Sequence, residues 1–431
     1  MAAPRPETTP LSQTIHRFRP SKSFPTSPGT EHTSLDFSDN GEFLISSLTD
    51  ETLHLYNTHT GTHSKTLYSK KYGAHLAKFT HSNTNVLYAS TKGDDTIRYL
   101  SLHDNSYIRY FRGHKARVNA LEVSPTTDEF LSCSADGTVR LWDLKSSSAH
   151  GVLKVPGASV AAFDPSGIIF AVASHASGSI MLYDCRNYDK QPFSTLHLND
   201  DAYLSTLSYP PRLPEFSKLE FSNDGKLMLL GTRGPAHYML DSFADSGRFL
   251  FRMERKRGAT KPRFETGGDV CFTPDGRYVV SGQGERGLVC WDVQGRVDEK
   301  RGMRGGVELG EQAKGMNSVV AFNPRLSVMA TANQEMVSCC VPGLCGVVLM
   351  MGDRYFGCRN NTRRIRRRVR RHIVEGWWRG RGVHRGGFRR PEAKWGVQNS
   401  NHRLAVQKYL YYIRRICHQL LRSSQLVTTY V

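Results

Sequence analysis

One pattern recurs seven times along this chain of 431 residues. Each copy joins a short apolar run to a second through a polar turn: LDFSDNGEFLISS, AKFTHSNTNVLYAS, LEVSPTTDEFLSCS, AAFDPSGIIFAVAS, LEFSNDGKLMLLGT, VCFTPDGRYVVSGQ and VAFNPRLSVMATAN. Their anchors are Phe37, Phe79, Val123, Phe163, Phe221, Phe272 and Phe322, spaced by 42, 44, 40, 58, 51 and 50 residues. Such a period marks one supersecondary unit used repeatedly, each copy covering the apolar face of its neighbour. The turns SDNG, DPSG, SNDG and TPDG place Gly where a tight turn needs positive φ. The flanking runs are short and rich in β-branched and aromatic residues, as strands are. No part of this body sustains a 3.6-residue apolar period. The body is therefore predicted to be all-β.

A third strand in each repeat ends on a bulky residue: Tyr56, Leu100, Trp142, Tyr183, Leu240 and Trp291. Six residues earlier stand Asp50, Asp94, Asp136, Ser177, Gly234 and Glu285. The third repeat alone has a full set, with Gly113-His114, Asp136 and Trp142-Asp143. This resembles the WD40 signature and implies a β-propeller of four-stranded blades, here seven-bladed. In repeats of this kind a buried indole N–H bonds a strand serine, the serine a histidine, and the histidine the turn aspartate. The resemblance maps these roles onto Trp142, Ser134 (with Ser132 as the alternative), His114 and Asp136. The tetrad is structural, because a buried Trp N–H needs a partner. An open ring would leave an edge strand, so an N-terminal strand should pair with the last blade. Residues 13–18 (QTIHRF) are the candidate for it. Prolines in 199–216 (with YPPRLPEF) argue for a loop insertion between blades four and five.

Several segments are more specific: TLYSKKYG, DDTIRYLSLHDNSYIRYFRGH, TVRLWDLKS, LYDCRNYDKQPF and LEFSNDGKLMLL. Together they resemble the WD-repeat scaffold subunit of the COMPASS complex, which methylates lysine 4 of histone H3. In fungi the same family also serves the cleavage and polyadenylation factor of mRNA 3′-end processing. The resemblance covers about residues 11–336 and is strongest in blades two to four. It implies a nuclear, non-catalytic scaffold without cofactor. The implied partners are the histone methyltransferase subunit, other COMPASS subunits, chromatin, cleavage and polyadenylation factor subunits, and the phosphorylated tail of transcribing RNA polymerase II.

After Met336 the resemblance stops. Residues 335–341 precede Pro342 and Gly343, so blade seven is expected to lack its third strand. The domain reading is thus 1–26, an N-terminal segment with the closing strand; 27–336, a propeller whose last blade is incomplete; and 337–431, a basic tail. The tail holds 20 Lys+Arg against 3 Asp+Glu, whereas residues 1–336 hold 38 against 36. The net charge of +19 therefore describes the tail and not the body. Three readings of the tail stand side by side. One is a nucleic-acid arm gripping phosphates through the Arg363–Arg371 run and stacking Trp377 and Trp378. Another is a solubilising extension. The third is a stretch foreign to the fold, translated through an unspliced intron or a shifted frame; the abrupt change at Met336 favours it.

Catalytic motifs are absent: the chain has no GxSxG, HExxH, P-loop or SxxK. Cys133, Cys185, Cys271 and Cys290 lie far apart at strand positions and read as small buried hydrophobes of a reduced, intracellular protein. The remaining five cysteines form no CxxC pair, so no metal site is expected. The N-terminus has no apolar signal region. The longest apolar run, 337–351, contains Pro342 and is too short to span a bilayer. A binding face is more promising. Aligning Phe79 with Val123 places Lys70 and Lys71 on one inter-blade loop and Arg112, Lys115 and Arg117 on the next. These five form a candidate basic face for an acidic or phosphorylated peptide. Residues 252–257 (RMERKR) are a weaker candidate of the same kind. Two other function classes stay open: a WD adaptor of another complex, and a nucleic-acid binder acting through the tail.

Overall fold

The computed structural model describes residues 15–243, 249–255, 269–282, 287–295, 303–304, 306–309, 319–332 and 335–340. Seven antiparallel sheets follow one another around a ring. Blade one is built from His32–Phe37, Phe43–Leu48, Thr52–Asn57 and Thr62–Tyr68. Blade two uses His75–Phe79, Asn85–Ala89, Ile97–Ser101 and Ser106–Phe111. Blade three uses Val118–Val123, Glu129–Ser134, Thr138–Asp143 and Ala149–Lys154, and blade four Ser159–Phe163, Ile169–Ser174, Ser179–Asp184 and Ser194–His197. Blade five holds Phe216–Phe221, Leu227–Thr232, Ala236–Asp241 and Phe249–Glu254, and blade six Val270–Phe272, Tyr278–Gly282, Leu288–Asp292 and Val307–Glu308. A fifth strand, Met303–Arg304, pairs in parallel with the outer strand of blade five.

The repeated turns share one local mechanism. Ser38, Ser222 and Thr273 donate hydroxyl hydrogen bonds to the side chains of Asn40, Asp224 and Asp275, at 2.8, 2.6 and 2.6 Å. Each turn ends on a glycine; that of blade one, Gly41, has φ +73°. A side chain at Gly41 would also meet Asn323 of blade seven, whose amide donates to the Gly41 carbonyl at 2.8 Å. The core lies between successive sheets, so each apolar layer belongs to two blades. Leu131, Val139 and Leu141 of blade three pack with Phe163, Phe170 and Tyr183 of blade four in one such layer.

Blade seven comprises Val319–Phe322, Val328–Ala332, Glu335–Cys340 and Arg19–Pro25, and two sequence expectations are corrected there. The closing strand is Arg19–Pro25 rather than residues 13–18; Ile15–Arg17 instead forms one 3-10 turn. The strand carries Pro20 and Pro25. An outermost strand tolerates proline because its outward side has no partner to serve. Blade seven also has its third strand. Glu335–Cys340 pairs with Val328–Ala332 on one side and Arg19–Pro25 on the other. Its six residues equal the longest of the other third strands, which have five or six, and Pro342 and Gly343 fall beyond it. Each inner strand lies beside the next one, and blade seven's lies beside blade one's, which closes the ring. The insertion 199–216 differs in detail: Asp201–Leu204 forms a helical turn, and Phe216 already belongs to blade five. The tail lies outside the described residues beyond Cys340.

Candidate functional site

In blade three, Trp142 and Ser132 are fully buried. The indole N–H of Trp142 donates to Ser132 Oγ at 2.8 Å. Ser132 Oγ lies 2.7 Å from His114 Nε2, and His114 Nδ1 lies 3.1 Å from Asp136 Oδ2. One proton arrangement satisfies all three contacts: Trp N–H to Ser, Ser O–H to His Nε2, and His Nδ1–H to the carboxylate. Burial lowers the His114 pKa despite the carboxylate beside it, which keeps the ring in this neutral form. Burial alone would raise the Asp136 carboxyl. Hydrogen bonds from Thr138, the Lys115 amide and His114 outweigh it and hold the group well below the usual carboxylate range. The serine is thus Ser132 and not Ser134. Ser134 instead donates to the Ala116 carbonyl at 2.7 Å and accepts from the Asp136 amide at 3.1 Å.

Blade two lacks the tetrad and solves the same problem differently. Tyr88 stands in the place of Ser132, opposite Arg98 as Ser132 is opposite Arg140. Its buried hydroxyl contacts Ser69 Oγ at 3.0 Å and Tyr107 Oη at 2.9 Å. With Lys70 where the histidine would be, the turn aspartate Asp94 is left for another partner. Arg98 takes it, with nitrogens 2.9 and 3.2 Å from the two carboxylate oxygens. The guanidinium also lies 3.7 Å from the centre of the Tyr72 ring. Only 3% of the Arg98 side chain is exposed.

The five sequence-predicted cations are all exposed, on connections 69–74 and 112–117 at one end of blade two. Three of them lie over tyrosine rings: Lys70 over Tyr68 at 5.8 Å, Lys71 over Tyr72 at 5.1 Å and Arg112 over Tyr110 at 5.7 Å. Arg98 bridges the two connections, since it also lies 5.7 Å from the Tyr110 ring. Lys71, Tyr72, Arg98, Tyr110 and Arg112 therefore form one continuous cation–tyrosine row. Hydrogen bonding from Lys71, with Arg98 adding its charge, lowers the pKa of the Tyr72 hydroxyl. Lys115 and Arg117 continue along the second connection. The Lys115 amide donates to Asp136 and the Arg117 carbonyl accepts from the Ala135 amide, which ties them to the tetrad turn. In 252–257, Arg252 is engaged by Asp200 and Arg255 by the Gly234 and Gly282 carbonyls, rather than displayed. The remainder of that segment lies outside the described residues.

Sequence reasoning missed Arg98 and the tyrosines, although Asp94 and Arg98 stand four residues apart. It also missed charges on the inner strands. Lys78 lies 3.5 Å from Asp36 and 3.1 Å from Glu122; Lys218 lies 2.9 Å from Glu220 and 4.0 Å from Asp269. Asp36, Glu220 and Asp269 accept backbone amides of the neighbouring inner strand, from Phe79, Phe272 and Val320 at 2.8, 3.2 and 3.2 Å. These groups are spent on one another and on inter-blade contacts. Among the described residues no cluster of His, Cys, Asp and Glu is arranged to hold a metal ion.

The WD domain, G-beta repeat family model matches residues 20–57 and 105–143. An uncharacterised WD repeat-containing protein of Schizosaccharomyces pombe is 38% identical over 327 residues, 75% of this chain and 95% of the relative. The Set1 complex component swd2 of the same yeast is 41% identical over 58% of this chain and 68% of its own length. The COMPASS component SWD2 of Saccharomyces cerevisiae is 35% identical over 70% of this chain and 88% of its own.

Proposed function

This chain belongs to the WD-repeat family that includes the Set1 complex component swd2 and the COMPASS component SWD2, and on that footing we propose that it is a non-catalytic scaffold of a nuclear histone H3 lysine-4 methyltransferase complex. The supporting observation is homology across 88% of the length of the COMPASS component. The polar accounting agrees with a scaffold. The tetrad and the inner-strand charges are engaged within and between blades, and the open cation–tyrosine row offers contacts instead of chemistry. The chain binds the methyltransferase subunit and links the complex to chromatin and transcribing RNA polymerase II. It also serves mRNA 3′-end processing.

The exposed row is the docking face for an acidic or phosphorylated segment of a partner, with Lys70, Lys71, Arg112, Lys115 and Arg117 as its cations. Stacking on tyrosine holds three of these side chains before a ligand arrives, which lowers the entropy lost on binding. The test is affinity purification of the full chain with identification of partners. Recovery of a SET-domain methyltransferase is expected, and its repeated absence refutes the reading. For the face, the Lys71→Glu/Arg117→Glu chain should lose phosphopeptide binding; unchanged affinity removes the face from the model of function.

A further inference from the structure

The turns that join the first and second strands of neighbouring blades touch one another around the ring, as Asn323 and Gly41 do. The second residue of these turns differs from blade to blade. It is Asp39 in blade one, His81 in blade two and Asn223 in blade five, and proline in the others: Pro125, Pro165, Pro274 and Pro324. Proline has no side-chain donor to offer a neighbour. His81 reaches a neighbour on each side. Its Nδ1 lies 2.8 Å from Asp39 Oδ2 of blade one, and its Nε2 lies 3.3 Å from the Thr127 carbonyl oxygen of blade three.

Neither partner has a proton to give. A carboxylate and a backbone carbonyl only accept, so both ring nitrogens must carry hydrogen, which is the imidazolium. In a neutral ring the bare nitrogen would face an oxygen lone pair. His114 differs, because its serine partner can donate and the neutral ring satisfies both contacts. The charged groups of the adjoining turns are Asp39 and Glu42 of blade one, Asp128 of blade three and Arg325 of blade seven. Asp128 is held by Lys145 at 3.0 Å, and Arg325 Nε donates to the Asp39 carbonyl at 3.4 Å. Glu129, just beyond the blade-three turn, accepts from the Thr127 hydroxyl at 3.2 Å. The hydrogen bond to Asp39, helped by its charge, raises the His81 pKa above the ordinary 6.5 although burial opposes it. The His81 side chain is 35% exposed, so its proton can exchange with solvent without unfolding.

We propose that His81 is a proton-operated clasp: protonated, it ties the turns of blades one, two and three together, and the loss of its proton releases the turn of blade three. Asp39 keeps the remaining proton, because a bond to a carboxylate is stronger than one to a carbonyl. A raised folded pKa places the clasp's stability below about pH 6.5 and removes it as pH rises through the folded value. The test is NMR of the full chain labelled with 15N-histidine, with His81→Gln identifying the resonance. His81 should titrate above 6.5, and Asp39→Asn should bring it back to 6.5 or below. Urea midpoints read the consequence for the fold. The wild-type chain should exceed His81→Gln in stability by more at about pH 6 than at about pH 8, and Asp39→Asn should remove that excess. An unchanged circular dichroism spectrum confirms that the variants fold. Titration of His81 at or below 6.5, or titration indifferent to Asp39→Asn, overturns the proposal. An equal midpoint difference at both pH values overturns the coupling of the clasp to the fold.

Discussion

Replacing Ser132 by alanine tests the polar logic of blade three most directly. The serine oxygen serves two buried partners, the Trp142 indole at 2.8 Å and His114 Nε2 at 2.7 Å. Ser132→Ala leaves one donor and one acceptor without a protein partner. Each orphaned buried group costs about 1–3 kcal/mol, so the substitution should destabilise by about 2–5 kcal/mol. Ser134 is also buried and bonded, so a single substitution cannot separate the two serines. A double-mutant cycle can. Trp142→Phe removes the indole donor, and Ser132→Ala should then cost less by about 1–2 kcal/mol. The matching cycle of Ser134→Ala with Trp142→Phe should show coupling below about 0.5 kcal/mol, because Ser134 serves the backbone of Ala116 and Asp136. Urea unfolding of the full chain, followed by far-UV circular dichroism, gives each midpoint, with the slope checked for constancy. Coupling of Trp142 to Ser134 as strong as to Ser132 would falsify the tetrad assigned here.

The pH dependence should carry two opposite signatures. The depressed pKa of Asp136 contributes stability that is present above about pH 4 and lost as pH falls through its folded value, so Asp136→Asn should flatten the acid limb of the stability curve. Asp36 behaves in reverse, since burial, partly offset by Lys78, pushes its pKa up to about 6. The folded state then holds the extra proton, and stability should fall as pH rises from about 4 to 6; Asp36→Asn should abolish that slope in urea midpoints. Lys78→Met strands Asp36 and Glu122 without their shared cation, and should cost about 1–3 kcal/mol at pH 7 and less at pH 5. Gly41→Ala at φ +73°, against Asn323, should cost about 1–3 kcal/mol at the seam of blades one and seven, read as a drop in melting temperature.

The seven-fold repeat was legible because turn chemistry and strand alternation are local. What depended on register was not. Ser132 and Ser134 are two residues apart on one strand, so both side chains project from the same face of the sheet. Only the pairing of Phe130 with Trp142 decides which of them the indole reaches. The closing strand was placed a few residues too early, on 13–18, because its position upstream of the first repeat does not show which residues reach Glu335–Cys340. Edge position is a property of the ring and not of the segment. The third strand of blade seven was missed because family resemblance had lapsed by residue 337, although six residues of backbone still sufficed to pair on both sides. The inner-strand charges were within reach. Asp36, Lys78, Glu122 and Glu220 each directly precede a repeat anchor, and opposite signs on adjacent repeats are a readable pairing signal.

The same polar accounting connects the fold to its surface. In blade three the aspartate of the turn is consumed by histidine, threonine and a backbone amide, and nothing of it is left for a ligand. In blade two the histidine is replaced by Lys70, and Tyr88 takes over the interior bonding through Ser69 and Tyr107. That exchange frees Asp94 to hold Arg98, and Arg98 in turn holds Tyr72 in place from beneath. A cation row on the surface is thus the outward consequence of an interior substitution. It follows that the row should be sensitive to changes that never touch a ligand. Tyr88→Phe deletes the hydroxyl that organises Ser69 and the start of the 69–74 connection, and it should weaken phosphopeptide binding while leaving every surface charge in place. A Tyr88→Phe chain that folds and binds as before would show that the cations alone set the affinity, with the tyrosine scaffold beneath them irrelevant.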